Sequence, residues 1–241
     1  MRAATVPLHS SNSQKLETPN FDKLARIYRW MEYLSFGPAL WRCRCAFLGN
    51  TAHCRNALVI GDGDGRFTAR LLETNSTIRV HAVDASPAML HALMRRAGAN
   101  VDRVRTTAMD ARAWQPSQSE PFDLVVTHFF LDCLTTEEVK TLAQKIHAAS
   151  APGMEWVVSE FVVSRSFFGR MVAGPLVAAL YLAFGILTGL RVRAMPDYAA
   201  ALSKAGFSLS RRNSRLGGLL ASELWTLTES SQAHSDLTSS R

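Results

Sequence analysis

The chain has 241 residues, 47% hydrophobic and 20% charged, the balance of one α/β domain, which excludes a disordered or fibrous polypeptide. Its net charge of +7 leaves anionic partners open, but the arginines are scattered, so no nucleic-acid partner is expected and peripheral contact with an anionic membrane surface stays open. Cys43, Cys45, Cys54 and Cys133 form neither a disulfide framework nor paired metal-ligand spacing, and they read as reduced thiols in a cytoplasmic protein without a metal.

Residues 1–20 have no continuous apolar stretch of the kind a secretory leader needs and read as a polar tail. Residues 21–50 predict helices. In FDKLARIYRWMEYLSF the apolar Leu24, Ile27, Tyr28, Met31 and Leu34 recur at helical spacing, and ALWRCRCAFLG continues to about Gly49. Alternating units follow. NALVI, IRVHAVD, DRVRTTAMD, FDLVVTHFF and EWVVSEFVV read as strands, with GRFTARLLETN, ASPAMLHALMRRAG and TTEEVKTLAQKIHAAS as helices between them. Ser86 can cap the second of these helices, with Pro87 in its first turn and Gly98 near its end. Thr135 with Glu138 three positions on makes a capping-box pattern for the third.

Residues 165–194 hold an unusual apolar segment. From Met171 to Leu190 there is no charge, and about 20 apolar residues suffice to span a bilayer. Spanning would place the two ends of one sheet on opposite sides, and Gly174, Pro175, Gly185 and Gly189 interrupt any continuous helix. We therefore expect no transmembrane span but either a buried helix pair or, the preferred reading, an apolar cap over the acceptor, ending in Arg191 and Arg193. MPDYAAALSKAG is the last helix, and strands on either side of Gly217-Gly218 form a hairpin. The expected fold class is a Rossmann-like, mostly parallel seven-stranded sheet with helices on both faces and a C-terminal antiparallel hairpin. One domain covers residues 21–228, followed by a tail at 229–241.

The chemistry starts at ALVIGDGDGRF. Gly61, Gly63 and Gly65 let a backbone turn adopt positive φ and approach a ligand closely, ahead of a helix with free N–H groups. A dinucleotide turn would need glycine at position 66, which is Arg66, and no Gly-Lys-Ser/Thr follows as in a phosphate loop. Asp84 ends the next strand, where a carboxylate can accept both hydroxyls of a ribose lying over the turn. Asp110 ends the third strand, placed to accept from an adenine amino group.

Carried by VIGDGDGRF, VDAS, MDARAW, FDLVVTHFFLDCL and SAPGMEWVVSEF, the sequence resembles the class I S-adenosylmethionine-dependent methyltransferases. The N-terminal helical region is similar to that of the quinone-ring branch. The resemblance implies S-adenosyl-L-methionine as cofactor and a binding set of Gly61, Asp62, Gly63, Asp64, Gly65, Asp84, Ala85, Met89, Asp110, Ala111 and Thr127. One position departs from it. The acid that the family often keeps two residues before the first glycine is Val59 here; Asp62, Asp64 or backbone carbonyls then hold the amino group of the cofactor's methionine.

Methyl transfer needs alignment and exclusion of water, and a base only where the acceptor must lose a proton. The candidate catalytic groups at strand ends are His128, Asp132 and Glu160, with His128 and Asp132 able to pair across one helical turn. THFF after the fourth strand lacks the Asn/Asp-Pro-Pro-aromatic turn of base-amino methylation, and Cys133 in LDCL lacks the Pro-Cys of base-carbon methylation. The expected acceptor is small or lipophilic, quinone- or lipid-like. The other reading, favoured by Val59, is a non-catalytic adenosyl-ligand-binding scaffold or sensor.

Overall fold

The computed structural model describes residues 37–116, 121–162 and 195–228. Both predicted tails, the first predicted helix and the apolar cap of residues 165–194 lie outside the described residues. Within them, one sheet takes β1 (Asn56–Ile60), β2 (Arg79–Asp84), β3 (Val104–Ala108), β4 (Phe122–His128), β5 (Ser150–Phe161), β6 (Phe207–Arg215) and β7 (Leu220–Leu227). Their spatial order is β3-β2-β1-β4-β5-β7-β6. Neighbours from β3 through β5 pair in parallel, whereas β7 runs antiparallel to both β5 and β6. This is the Rossmann-like sheet with a terminal hairpin that the sequence predicts.

The central strands are apolar on both faces because both faces are covered. Leu58, Ile60, Val125, Trp156 and Val158 turn to one side and pack with Val139, Leu142 and Ile146 of α4 (Thr136–Ala148) and Leu202 of α5 (Tyr198–Lys204). Ala57, Val59, Leu124, Val126 and Val157 turn to the other, against Phe67 and Leu71 of α2 (Arg66–Thr74) and Leu90 and Leu93 of α3 (Pro87–Ala97). Local signals agree with this packing. The Ser86 hydroxyl accepts from the Met89 amide, Pro87 begins α3, and the reciprocal Thr135–Glu138 capping box opens α4.

Two boundaries differ from the sequence reading. The helix expected to run to Gly49 stops at Arg44 as α1 (Gly37–Arg44), and the chain tightens into a 3-10 turn over Leu48–His53. That early stop swings Phe47 and Leu48 into the core beside α2 and α3. β5 also begins five residues earlier than expected, at Ser150, with Gly153 at φ 72° and an irregular register between Phe122 and Leu124 of its partner. Among the described residues no helix is long and apolar enough to cross a membrane.

The order of the strands places the site. From β1 the chain builds outward through β2 to β3, then returns to lay β4 on the other side of β1. A crevice opens at such a reversal beyond the carboxyl ends of the strands, where α/β sheets bind ligands.

Candidate active site

The glycine turn follows β1 at this reversal. The Gly61 amide extends the ladder, donating to the Val83 carbonyl at 3.0 Å. Gly61, Gly63 and Gly65 have φ of 71°, 61° and 80°, in the region that side chains other than glycine rarely enter. Their surroundings differ. A Cβ on Gly61 would come within 2.5 Å of the Phe130 ring, and one on Gly65 within 2.6 Å of the Leu93 Cα. A Cβ on Gly63 would meet nothing within 4 Å. The outer glycines are therefore packing positions, and the middle one leaves bare backbone facing an open space.

The two aspartates of the turn part company. Asp62 is only 7% exposed; its Oδ2 accepts from the Thr68 amide at 2.8 Å and the Thr68 hydroxyl at 2.7 Å, which ties the turn to α2. Its Oδ1 is buried without a hydrogen-bond partner among the described residues. Asp64 points the other way, to an ion pair with Arg96 of α3 at 2.8 Å and a longer one with Arg66 at 3.5 Å. Burial raises the Asp62 carboxyl, opposed by the nearby Arg44 guanidinium and the Thr68 hydrogen bonds.

Asp84 ends β2, and its Oδ1 accepts from the Ser86 amide at 2.8 Å. Burial pushes this carboxyl up to about 6, against the pull of the Ser86 and Gly63 amides. Ala85 is exposed and Met89 half-buried on the first turn of α3 beyond it. Asp110 follows β3, gripped by Arg112 through Nε at 3.0 Å and Nη2 at 2.5 Å, which holds its carboxyl below the usual range. Ala111 is buried behind it, while Met109 before it leaves an apolar side chain 42% exposed. Thr127 is fully buried and gives its hydroxyl oxygen to the Trp156 indole N–H at 3.0 Å.

The pair expected between His128 and Asp132 does not form. Neither ring nitrogen of His128 has a hydrogen-bond partner among the described residues, and the ring stands edge-on to Phe67 with centroids 4.5 Å apart. The reason is strand parity. His128 shares the face of Leu124 and Val126, toward α2, whereas Glu160, on which the charge of Asp132 acts, shares the face of Val158. The helical turn needed for the pair is also absent, because Phe129 takes φ 53° and Asp132 sits in a short 3-10 turn. Burial and the Arg44 charge keep His128 neutral, well below the usual imidazole range.

Glu160, near the end of β5, holds the segment that leaves β4. Its Oε1 accepts from the amides of Phe130 at 3.1 Å and Leu131 at 2.8 Å, which sets the Phe130 ring over Gly61. Its Oε2 is buried without a hydrogen-bond partner among the described residues. Burial, then Asp132, raise this carboxyl well above the usual range, so it favours the protonated form.

Residues 57–153 match a family model described as a methyltransferase domain. The match covers 97 of the 241 residues and takes in the glycine turn, Asp84 and Asp110. Over 100 residues, 42% of its length, the chain is 34% identical to the malonyl-[acyl-carrier protein] O-methyltransferase of Halorhodospira halophila, of which it spans 32%. Among solved structures it is similar to the S-adenosylmethionine-dependent methyltransferase SibL, with TM-score 0.61 and 23% identity over 86% of this chain and 59% of that one. A putative O-methyltransferase of Nostoc punctiforme gives TM-score 0.67 and 20% identity over 89% and 63% of the two chains. These likenesses establish the fold; the chain spans about a third of the curated relative and about three fifths of these solved proteins.

The residues present fit S-adenosylmethionine, the cofactor that the sequence resemblance implies, at three places: the open backbone at Gly63, the carboxylate ending β2, and the Asp62 Oδ1 that has no hydrogen-bond partner among the described residues. Sequence reasoning missed Arg44 and Arg112. Arg44 is 8% exposed at the end of α1, stacked 5.5 Å from the Phe129 ring centroid and acting on both Asp62 and His128. No local pattern marks it among scattered arginines, because only the packing of α1 buries it. Arg112 was nearer to hand, two residues beyond Asp110 in MDARAW.

Proposed function

We propose that this chain binds S-adenosyl-L-methionine across the ends of β1, β2 and β3. It transfers the methyl group to a small, lipophilic acceptor of quinone- or lipid-like character held beyond β4 and β5. The observation that carries the reading is the alignment, along one sheet edge, of an open glycine backbone at Gly63 with carboxylates at the ends of β2 and β3. The bound cofactor supplies a methyl group already activated by its sulfonium, so the chain's work is binding, alignment and exclusion of water.

Asp84 accepts the ribose hydroxyls, and Asp110 faces the adenine side with Arg112 fixing its rotamer. Asp62 supplies the acid missing at Val59: its Oδ2 is locked by Thr68 while Oδ1 accepts from the ammonium of the methionyl end. Asp64, engaged by Arg96, holds α3 rather than ligand. On the acceptor side, Glu160 holds the Phe130–Leu131 backbone, with the charge of Asp132 acting on its carboxyl. His128 acts as a neutral wall packed edge-on against Phe67. The apolar run of Met171 to Leu190 is the sequence feature that supports a lipophilic acceptor.

Calorimetric titration with S-adenosylmethionine and S-adenosylhomocysteine, with NAD as control, tests the binding half of this reading. Saturable micromolar binding of the two adenosyl ligands alone is expected. Failure of both to bind removes the cofactor assignment. Binding without turnover on any of a panel of lipophilic acceptors moves the chain to the scaffold reading.

A further inference from the structure

Three side chains of different donor chemistry meet at the opposite end of the sheet from the glycine turn. His53 closes the 3-10 turn, Cys54 follows just ahead of β1, and Glu155 lies in β5. Register brings them together, since Glu155 pairs with Leu124 of β4, and Leu124 pairs with Ala57 of β1. His53 Nε2 stands 3.7 Å from Cys54 Sγ and 4.0 Å from Glu155 Oε2. The three donor atoms all lie within 4.8 Å of one another.

Packing alone leaves this corner unexplained. Glu155 Oε2 is buried without a hydrogen-bond partner among the described residues, and leaving such an oxygen unpaired costs free energy. The neighbouring carboxylate of Asp123 is fully engaged by contrast, accepting from the Arg55 amide at 2.6 Å and the Asn56 amide at 2.9 Å. Asp123 is therefore outside the cluster, holding the backbone that presents it.

We infer that His53, Cys54 and Glu155 form a site for a divalent cation of the zinc class, with water completing the shell. Imidazole, thiolate and carboxylate make a borderline donor set that suits Zn2+ rather than the hard Mg2+ or Ca2+. In a tetrahedral zinc site, bonds of about 2.0–2.3 Å put neighbouring donors about 3.3–3.6 Å apart. The observed separations reach this by small side-chain rotations. His53, whose side chain is 69% exposed, has room for them and lies on the side from which an ion would enter.

On binding, the Cys54 S–H bond breaks, its proton leaves to solvent and the sulfur–metal bond forms, while His53 binds through its neutral Nε2. The ion joins the entry of β1 to β5 and so clamps the sheet at the end away from the methyl-transfer site. It is a structural site, independent of the cofactor.

The test uses the reduced full chain, freed of metal by chelation, titrated with Co2+ and then with Zn2+. A near-ultraviolet thiolate-to-cobalt band is expected to saturate at one equivalent and disappear as Zn2+ displaces the probe. Cys54→Ser abolishes the band, and His53→Ala and Glu155→Gln weaken binding about tenfold or more. His53→Ala alters an exposed side chain, so its adenosyl-ligand affinity, measured on the same sample, stays at the wild-type value and reports an intact fold. No saturable band, a band that survives Cys54→Ser, or wild-type Co2+ affinity in His53→Ala overturns the site.

Discussion

Asp84 is held in the ligand-free fold at a cost that the ligand is suited to offset. Buried at the end of β2, its carboxyl is pushed from 3.8 up to about 6, so the charged form is disfavoured in the folded protein. The folded state therefore binds more protons than the unfolded one between those values. The penalty is absent near pH 4, grows toward pH 6 and is complete above it. Asp84→Asn should raise the stability of the ligand-free protein above pH 6 by up to about 3 kcal/mol, with little gain at pH 4. Chemical denaturation at the two pH values checks this. The same substitution should weaken S-adenosylmethionine binding about tenfold or more at pH 7.5, while wild-type affinity should fall as pH drops through about 6. Stability and binding move in opposite directions, which separates a ligand contact from a merely structural carboxylate.

At the scale of elements, the turn between β1 and α2 is one motif with two kinds of glycine. Gly65→Ala brings a Cβ to 2.6 Å from the Leu93 Cα, backbone that cannot yield without moving α3. Gly63→Ala meets no neighbour and suffers only the strain of φ 61°, about 1–2 kcal/mol. Gly63→Ala should therefore fold, with a melting temperature lower by a few degrees, and lose most cofactor affinity. Gly65→Ala should lose far more stability. Circular dichroism melts beside binding isotherms distinguish the two, and equal behaviour would refute the division of roles. The segment after β4 shows a related dependence. Positive φ at Phe129 turns the chain, and Glu160 on the neighbouring strand holds the two amides that follow. A residue of β5 thereby places the ring that covers the first glycine.

For the whole molecule, the surfaces proposed to hold the cofactor, on β1, β2, β3 and their loops, lie on a sheet already formed without ligand. Binding then adds to global stability by mass action. At one hundred times Kd, S-adenosylhomocysteine should contribute about 2.7 kcal/mol. For a chain of this size that is roughly 5–11 °C in melting temperature. NAD at the same concentration should give no shift, as its turn requires a different glycine spacing. A differential scanning measurement decides this.

The strands, the helices between them and the terminal hairpin were legible from the sequence because the signals for them are local, whereas the spatial order of the strands came only from the structure. Apolar runs of strand length, the Ser86 and Thr135 caps and the Gly217-Gly218 hairpin depend on neighbours a few residues away. The glycine turn and Asp84 were legible for the same reason, since positive φ and a strand-end carboxylate are local demands. Tertiary structure alone decided which of the two aspartates flanking Gly63 remains available. Asp62 and Asp64 look alike in GDGDG, but α3 brings Arg96 to one and α2 presents Thr68 to the other. It also turned His128 and Glu160 to opposite faces of the sheet, buried Arg44, and brought Glu155 to His53 and Cys54 from about a hundred residues away. Charges and ligands act through distance in space, and only packing sets that distance for residues far apart in the chain.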